Sequence, residues 1–149
     1  MSIWRGSNVR AACLGIALLV GCGGSSTYEL AGVSGVVTLD GNPVPYTRVT
    51  FQPRSSGDPM EAGPSSVAEC DDTGRFVLKT IPGDEGAVVG THTVRISSLG
   101  PPRDLSGDTN VGPLPVDAFP AQYNTDSTLT FDVPAGGTTE ANFPLTKWP

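Results

Sequence analysis

The chain has 149 residues, of which 19 are Gly and 14 are Pro, and its formal net charge is −6. Gly and Pro together make up about 22% of the chain against roughly 12% in average usage, which is too many helix breakers for a helical bundle or a coiled coil. The 15 acidic side chains outnumber the 9 basic ones, which argues against nucleic acid as a partner, because nucleic-acid binding needs a basic face. The composition therefore predicts a single, turn-rich, all-β domain.

Residues 1–21 have the pattern of a bacterial lipoprotein signal peptide. Two Arg residues precede an apolar run at 11–20, which is about half the length that a membrane-spanning helix needs. The run ends in Leu19-Val20-Gly21-Cys22, which resembles the lipobox. This resemblance implies that Cys22 receives a diacylglyceryl thioether and becomes the acylated N-terminus. We therefore predict an exported protein, lipid-anchored to a bacterial membrane on its periplasmic face or at the cell surface; an ordinary signal peptide cut nearby and an uncleaved anchor are the alternatives.

Lipid on Cys22 is predicted to be what holds the domain at the membrane. Stable anchoring takes two or more acyl chains, at about 0.8 kcal/mol for each buried CH₂. Cleavage removes two of the 9 basic residues and none of the 15 acidic ones, so the mature chain has 7 basic residues and a net charge of −8. An anionic membrane surface repels such a domain. Residues 22–31 are predicted to be a lipidated tether, and the nine that follow Cys22 reach at most ~30 Å.

Residues 32–149 carry seven segments with strand character, separated by turn signals such as Asp40-Gly41-Asn42-Pro43. Their alternation places Val49 and Phe51, Phe76 and Leu78, and Val94 and Ile96 on inward faces, and Pro144 indicates a sheet edge. The predicted strands are residues 32–39, 44–52, 66–70, 75–80, 91–98, 128–133 and 138–146. This spacing predicts an all-β fold: a seven-stranded Greek-key β-sandwich of immunoglobulin-like architecture.

The three cysteines exclude an intrachain disulfide. Cys13 leaves with the signal peptide and Cys22 is modified, so Cys70 has no partner. Cys70 lies in a strand-like stretch, and we predict that it is a small, buried hydrophobic residue.

Several motifs in a fixed order resemble those of a known family. GVVTLDGNPVP at 35–45 leads into VTFQP at 49–53, followed by DTGRF, GAVVGTHTV, FPAQY and LTFDVPAG, which ends at Gly136. The order is similar to that of the carboxypeptidase-regulatory-like, transthyretin-like domains, and in particular to short lipoproteins of this type from planctomycete bacteria. The resemblance implies a prealbumin-like sandwich and a non-catalytic accessory or surface module. It indicates no particular ligand, and we expect no cofactor.

Acidic turns are the candidate metal sites. Asp71-Asp72-Thr73-Gly74 offers the oxygen ligands that Ca²⁺ prefers, but it lacks the later Asp and the bidentate Glu of an EF-hand loop. As a turn it needs no metal, because Asp accepts backbone N–H bonds and Gly takes a positive φ. We interpret it as a structural turn, with a weak Ca²⁺ site at Asp71 and Asp72 as the alternative. Further loose candidates for Ca²⁺ are Asp58, Glu61, Asp84 and Glu85.

No catalytic residue is predicted. His92 is the single histidine, and the chain has no G-x-S-x-G elbow to support a Ser–His–Asp triad. We predict a surface or half-buried strand histidine, and a Cys70–His92 nucleophile pair is a weak alternative. One histidine and one unmodified cysteine nearly exclude a zinc site of the usual type.

The loops are the preferred interaction surface. Residues 53–64 and 99–122 are polar and Pro-rich, and binding residues commonly lie on such loops. Tyr123 and Trp148 are interpreted as closing the ends of the sandwich rather than as a binding patch. We expect a non-enzymatic module that binds or scaffolds an envelope protein or glycan. The alternatives are a self-associating structural envelope protein and a small hydrolase or ligand carrier of the transthyretin type.

Overall fold

The computed structural model describes residues 2, 28–55, 57, 62–100 and 117–147. Within these residues the chain is strand and turn apart from one single-turn 3-10 helix, Ala121–Tyr123. The strands are β1 (Leu30–Ala31), β2 (Ser34–Leu39), β3 (Asn42–Pro43), β4 (Thr47–Pro53), β5 (Ser66–Glu69), β6 (Arg75–Val77), β7 (Lys79–Thr80), β8 (Ala87–Val88), β9 (Gly90–Ser98), β10 (Thr130–Val133) and β11 (Phe143–Leu145).

Some of the predicted features lie outside the described residues. They are the signal peptide, Cys22, Asp58, Glu61, residues 101–116 and Trp148. No helix in the described part of the chain is long and apolar enough to cross a membrane.

The larger sheet has the strand order β10-β9-β4-β5-β7, with every neighbouring pair antiparallel. The alternation in β4 sets its two faces, because Val49 and Phe51 are fully buried while Arg48 is exposed. The inward orientation predicted for Val94 and Ile96 of β9 is confirmed in the same way.

β4 begins at Thr47, three residues later than predicted. Tyr46 has a φ of +51°, in the left-handed region that a regular strand does not pass through. The N–H of Leu99 nevertheless donates to the Tyr46 carbonyl at 2.8 Å, so the chain around Tyr46 stays beside the end of β9.

The smaller sheet has the order β11-β2-β3, and β6 also pairs with β2. β2 and β11 are parallel, with Val37 opposite Phe143 and Leu39 opposite Leu145. Pro144 lies on β11, the terminal strand of this sheet, so the predicted sheet edge is confirmed.

The segment 75–80, predicted as one strand, is divided at Leu78. β6 pairs with β2 in the smaller sheet, whereas β7 pairs with β5 in the larger one. The Leu78 N–H donates to the Val33 carbonyl at 2.9 Å, and the Leu78 side chain is fully buried. The chain therefore crosses from one sheet to the other at this residue and closes one side of the sandwich.

The two sheets enclose one apolar core with a cluster of phenylalanine rings. The ring centroid of Phe51 lies 5.6 Å from that of Phe131 and 6.0 Å from that of Phe143, and Phe76 lies 6.2 Å from Phe143. Such offset, tilted and edge-on contacts are favourable for aromatic rings. Cys70 is buried and has a free thiol, as predicted. The all-β sandwich is thus confirmed, whereas its Greek-key and transthyretin-like character remains a prediction.

The sandwich begins earlier than predicted. β1 lies within the predicted tether, 22–31, and pairs with β8, which lies within a segment predicted as a loop, 81–90. Gly86 allows this close approach, because a Cβ there would lie 2.2 Å from the Ala31 carbonyl oxygen. Because Ala31 is buried, the last residues of the predicted tether belong to the folded domain.

Candidate functional site

The Asp71 carboxylate accepts hydrogen bonds from residues of its own turn. Asp71 Oδ1 accepts from the Thr73 N–H at 2.8 Å, the Thr73 hydroxyl at 2.7 Å and the Arg75 N–H at 3.0 Å. The hydrogen bond from the Thr73 side chain, followed by those from the Arg75 and Thr73 backbones, holds the pKa of Asp71 below its ordinary value. Gly74 completes the turn with a φ of +74°. This geometry favours the structural interpretation of the turn over a cation site.

The other described acidic candidates, Asp84 and Glu85, do not lie near Asp71. Thr80 of β7 lies opposite Ser66 at the start of β5, whereas Asp71 follows the end of β5. Asp84 lies beside Thr80, since its N–H is bonded to the Thr80 hydroxyl at 2.9 Å. The Asp71–Asp72 and Asp84–Glu85 pairs therefore lie at opposite ends of the strands. Among the described residues, no group of three or more His, Cys, Asp or Glu side chains is placed to hold a metal.

His92 is fully buried, so the prediction of a surface or half-buried histidine is wrong. Its Nδ1 lies 2.9 Å from the Gly90 carbonyl, and the ring packs against Phe51 with a centroid distance of 5.5 Å. A proton on Nδ1 satisfies that carbonyl and leaves Nε2 buried with no partner among the described residues. Burial lowers the pKa of His92, and it outweighs the Gly90 bond and the Asp132 charge, which raise it. The fold therefore favours the neutral form of this imidazole, which is buried inside the sandwich.

Cys70 is held as an unreactive thiol. Burial, followed by the nearby charge of Asp71, raises the pKa of Cys70 to about 11. Cys70 also lies far from His92, because its N–H bonds the Thr47 carbonyl at one end of β4 while His92 pairs with Pro53 at the other end. Six strand steps separate those ends, about 20 Å. The structure therefore contradicts the Cys70–His92 nucleophile pair.

Different loops and turns form the two ends of the sandwich. We call the end where the described chain enters, at residues 28–29, the entry end; it also holds residues 53–55, 81–86 and 134–137. The far end holds residues 40–46, 70–74, 99–100 and 117–127. The described residues of the two Pro-rich loops selected from the sequence thus lie at opposite ends of the sandwich.

A cleft of about 400 Å³ lies at the entry end. It opens between the first described residues and the loop that follows β4. Residues that line it include Tyr28, Glu29, Arg54, Val88, Val89 and Thr91. The only ion pair among the described residues, Arg48 with Glu69 at 2.9 Å, lies elsewhere, on an exposed face where such pairs contribute little.

Asp117 organises the far end, although no motif in the sequence singles it out. Its Oδ1 accepts from the Ser98 and Phe119 N–H groups, each at 3.0 Å, and its Oδ2 is bonded to the Asn124 side chain. The carboxylate thus holds residue 117 beside the end of β9. An Asp two residues before a buried Phe, at the end of a Pro-rich stretch, is the sequence signal for this role.

Tyr123 packs against the edge of the core, and its hydroxyl lies 3.5 Å from that of Thr146. This position agrees with a closing role at the far end. Tyr46, a residue that no motif in the sequence singles out, also lies at this end, and 39% of it is exposed.

Comparisons of the chain with protein-family models, with curated proteins and with solved structures find no match. A functional assignment therefore depends on the chain's own motifs and geometry.

Proposed function

We propose that this protein is a lipid-anchored, non-enzymatic module of the bacterial envelope that binds or scaffolds another envelope component, a protein or a glycan. The lipobox-like sequence that ends at Cys22 supports the anchor. Tyr28, the first residue of the described segment 28–55, lies at the entry end of the sandwich, so an anchor on Cys22 would join the domain there.

One observation carries the non-enzymatic part of the proposal. The three side chains considered as a metal ligand, a base and a nucleophile each have a structural role. Asp71 accepts hydrogen bonds within its own turn, His92 is buried against Phe51, and Cys70 is a buried thiol. A hydrolase of the transthyretin type would need an accessible base, and the burial of His92 counts against that alternative.

We also propose that the domain is of the carboxypeptidase-regulatory-like type. A carboxypeptidase-regulatory-like domain is expected to place turns at its Asp-Gly-Asn-Pro and Asp-x-Gly-x-Phe motifs. Here Asp40 and Gly41 take φ values of +50° and +79° between β2 and β3, and Gly74 takes a positive φ before β6. These turns support the resemblance.

Lipidation is tested by a Cys22→Ser substitution in a bacterial host fed an alkyne-tagged fatty acid. We expect the parent chain to carry the tag and to sediment with membranes. The Cys22→Ser variant should lose the tag and leave the membrane fraction, because the thioether needs the Cys22 sulfur.

Cys13→Ala is the matched control, since Cys13 lies in the apolar run of the signal peptide. This variant should keep both the tag and the membrane association. Tagging that survives in Cys22→Ser would contradict the proposed anchor.

The partner is sought by crosslinking in intact envelopes of the native host. We expect a reproducible adduct with one envelope component that is lost when the protein is released by Cys22→Ser. Crosslinks that contain only further copies of this chain would favour the self-associating alternative.

A further inference from the structure

The cleft at the entry end, which we call the entry cleft, has a size that suits a small ligand. Its volume of about 400 Å³ lies within the range of roughly 300–1,000 Å³ that is typical of small-molecule sites. Tyr28, Val88 and Val89 supply apolar surface to its lining, and Glu29 and Arg54 add one carboxylate and one guanidinium. The entry cleft therefore combines an aromatic ring with one anionic and one cationic group.

The aromatic ring of the entry cleft is held in place by its neighbours. Gly63, which has a φ of +80°, lets the chain before β5 pack closely against Tyr28 and Val88. A Cβ at Gly63 would lie 2.9 Å from Val88 Cγ2 and 3.0 Å from the Tyr28 ring. A ring that is fixed before a ligand arrives loses little further entropy on binding.

The two charged residues of the entry cleft are also fixed at the backbone. The Glu29 carbonyl accepts from the Val89 N–H at 2.8 Å, and the Arg54 N–H donates to the Thr91 carbonyl at 2.9 Å. Although Glu29 and Arg54 line the same cleft, they are not ion-paired with each other, and neither is in an ion pair with any other described residue. Both charged groups are therefore available to a ligand.

The hydroxyl groups in the lining are already used within the protein. The Thr91 hydroxyl is bonded to the Asp132 carboxylate, and the Ser55 hydroxyl donates to the Gly57 carbonyl at 3.3 Å. The chemistry offered to a ligand thus comes from Tyr28 and the two charged side chains.

This set of groups fits a ring that carries several hydroxyls. A guanidinium only donates hydrogen bonds and a carboxylate only accepts them, whereas a hydroxyl group does both. A sugar ring can therefore satisfy Arg54 and Glu29 at the same time, while its apolar C–H face packs on the Tyr28 ring. One positive and one negative charge give the pair no net charge, which favours an uncharged ligand over a polyanion.

We propose that the entry cleft binds an uncharged sugar unit of an envelope glycan. The inference rests on the proposed function, since it names a glycan as the envelope component that the protein binds. The Tyr28 ring stacks on the sugar, Arg54 donates to its hydroxyl oxygens, and Glu29 accepts from its hydroxyl groups. A concave site of this volume admits a sugar unit, whereas a folded protein partner needs about 800 Å² of matching surface.

Photo-crosslinking from β9 in intact envelopes of the native host tests the site. A photoreactive phenylalanine analogue replaces Thr91, which lines the entry cleft, or Ser97, six residues further along the same strand and about 20 Å away. The full, lipidated chain is used in both cases. We expect an adduct from position 91 that releases sugars on acid hydrolysis, and none from position 97.

Substitutions in the entry cleft test the individual contacts. Tyr28→Ala and Arg54→Gln should each lower the yield of the position-91 adduct at least about fivefold, because each removes a direct contact with the sugar. Tyr28→Phe keeps the ring and should retain the yield. Arg95→Gln makes the same charge change as Arg54→Gln, on β9 and outside the lining, and is the matched control. Circular dichroism checks that each variant is folded.

Salt distinguishes an uncharged sugar from a charged ligand. Between 0.15 M and 1 M salt the screening length falls from about 8 Å to about 3 Å, which weakens contacts between exposed charges. The adduct yield should change by less than about twofold over this range. A yield that collapses at high salt overturns the assignment of an uncharged ligand.

The remaining outcomes separate this inference from the proposed function. An adduct from position 91 that contains protein and no sugar overturns the sugar site and leaves the proposed function intact. Equal sugar adducts from positions 91 and 97, or no adduct from position 91 when chemical crosslinking of the parent chain yields a partner, overturn the entry cleft as the site. No partner in either crosslinking experiment overturns the proposed function itself.

Discussion

His92 shows how one buried side chain makes the stability of the fold depend on pH. Its Nδ1 is bonded to the Gly90 carbonyl, its Nε2 has no partner among the described residues, and its ring contacts Phe51. The folded chain therefore favours the neutral imidazole, and burial holds the pKa of His92 below its ordinary value of about 6.5. Asp132, on the neighbouring strand β10, opposes this effect only in part.

The sign of the pH dependence follows from that shift. The stabilisation by neutral His92 is fully present above the unfolded pKa, about 6.5, and it is lost as the pH falls from there towards the lower folded pKa. Between pH 7 and about pH 5, we expect the Tm of the parent chain to fall more than that of His92→Gln. Thermal unfolding by circular dichroism measures both, and equal slopes would contradict a titrating buried imidazole.

The Asp71 carboxylate also makes the stability of the fold depend on pH. Asp71→Asn is expected to lower the Tm at pH 7, because three donors lose a charged acceptor. The pKa of Asp71 is below its ordinary value, so its contribution is present above the unfolded pKa, about 3.9, and is lost as the pH falls through the folded value. The difference between the two chains should therefore shrink in acid.

Asp72→Asn makes the same charge change beside Asp71 and is expected to leave the Tm unchanged. Calcium is added to both variants and to the parent chain. We expect no shift in Tm, because Asp71 Oδ1 already accepts three hydrogen bonds. A rise with calcium that disappears in Asp71→Asn would favour the metal-site alternative.

Strand β2 depends on a glycine, Gly35, that faces the chain leading to β11. A Cβ on Gly35 would lie 2.0 Å from the Ala141 carbonyl oxygen, and that backbone is fixed by the Ala141 N–H bond to the Ser34 carbonyl at 3.1 Å. Gly35→Ala is therefore expected to lower the free energy of unfolding by about 3 kcal/mol, the upper part of the range for overpacking. Urea unfolding measures the change.

Gly32→Ala is the matched control, since nothing lies within 4 Å of a Cβ at that position. It should change the free energy of unfolding by less than about 0.5 kcal/mol. Comparable losses in both variants would show that backbone freedom, rather than the contact with Ala141, sets the need for glycine.

Alternation in the sequence predicts most of the strands and fails at particular elements. Val49, Phe51, Val94 and Ile96 face inward as expected, because a half-buried strand repeats every two residues. The same repeat places His92 on the inner face of β9, so its burial could have been predicted. Residue type favours an exposed histidine at position 92, whereas its register on β9 favours burial.

Other features cannot be predicted from local pattern. The alternation of inward and outward residues continues without a break through Leu78, yet the chain changes sheet there. Local pattern cannot predict this change, because the strands that pair on either side of Leu78 lie far away in sequence. β1 and β8 have two residues each, too few for a periodic signal. Of the candidate site, the sequence identifies Asp71 and the two loops, but it does not show that the described residues of the two loops lie at opposite ends of the sandwich.

Leu78 lies where the chain crosses between the two sheets, and we expect the two sheets to unfold as one cooperative unit. Its side chain is fully buried, its N–H is bonded to Val33, and the strands on either side of it belong to different sheets. Leu78→Ala should lower the free energy of unfolding by about 3 kcal/mol, the middle of the range for large-to-small core changes. Urea unfolding measures this change, and the parent chain should unfold in a single transition.

Val77→Ala is the control at the neighbouring position, where the side chain is 63% exposed. Its effect should stay below about 0.5 kcal/mol. Two separate transitions in the parent chain, one for each sheet, would contradict the expectation that the two sheets unfold together.

The parallel pairing of β2 and β11 has a mechanical consequence. β2 leaves the entry end and β11 arrives at the far end, side by side, with the Asp40 N–H bonded to the Leu145 carbonyl at 2.9 Å. A force that pulls the C-terminal end away from a fixed N-terminus therefore runs along both strands. It loads their hydrogen bonds in shear, all at once, instead of opening them one after another. A protein with this pairing resists being pulled apart along the line between its two termini.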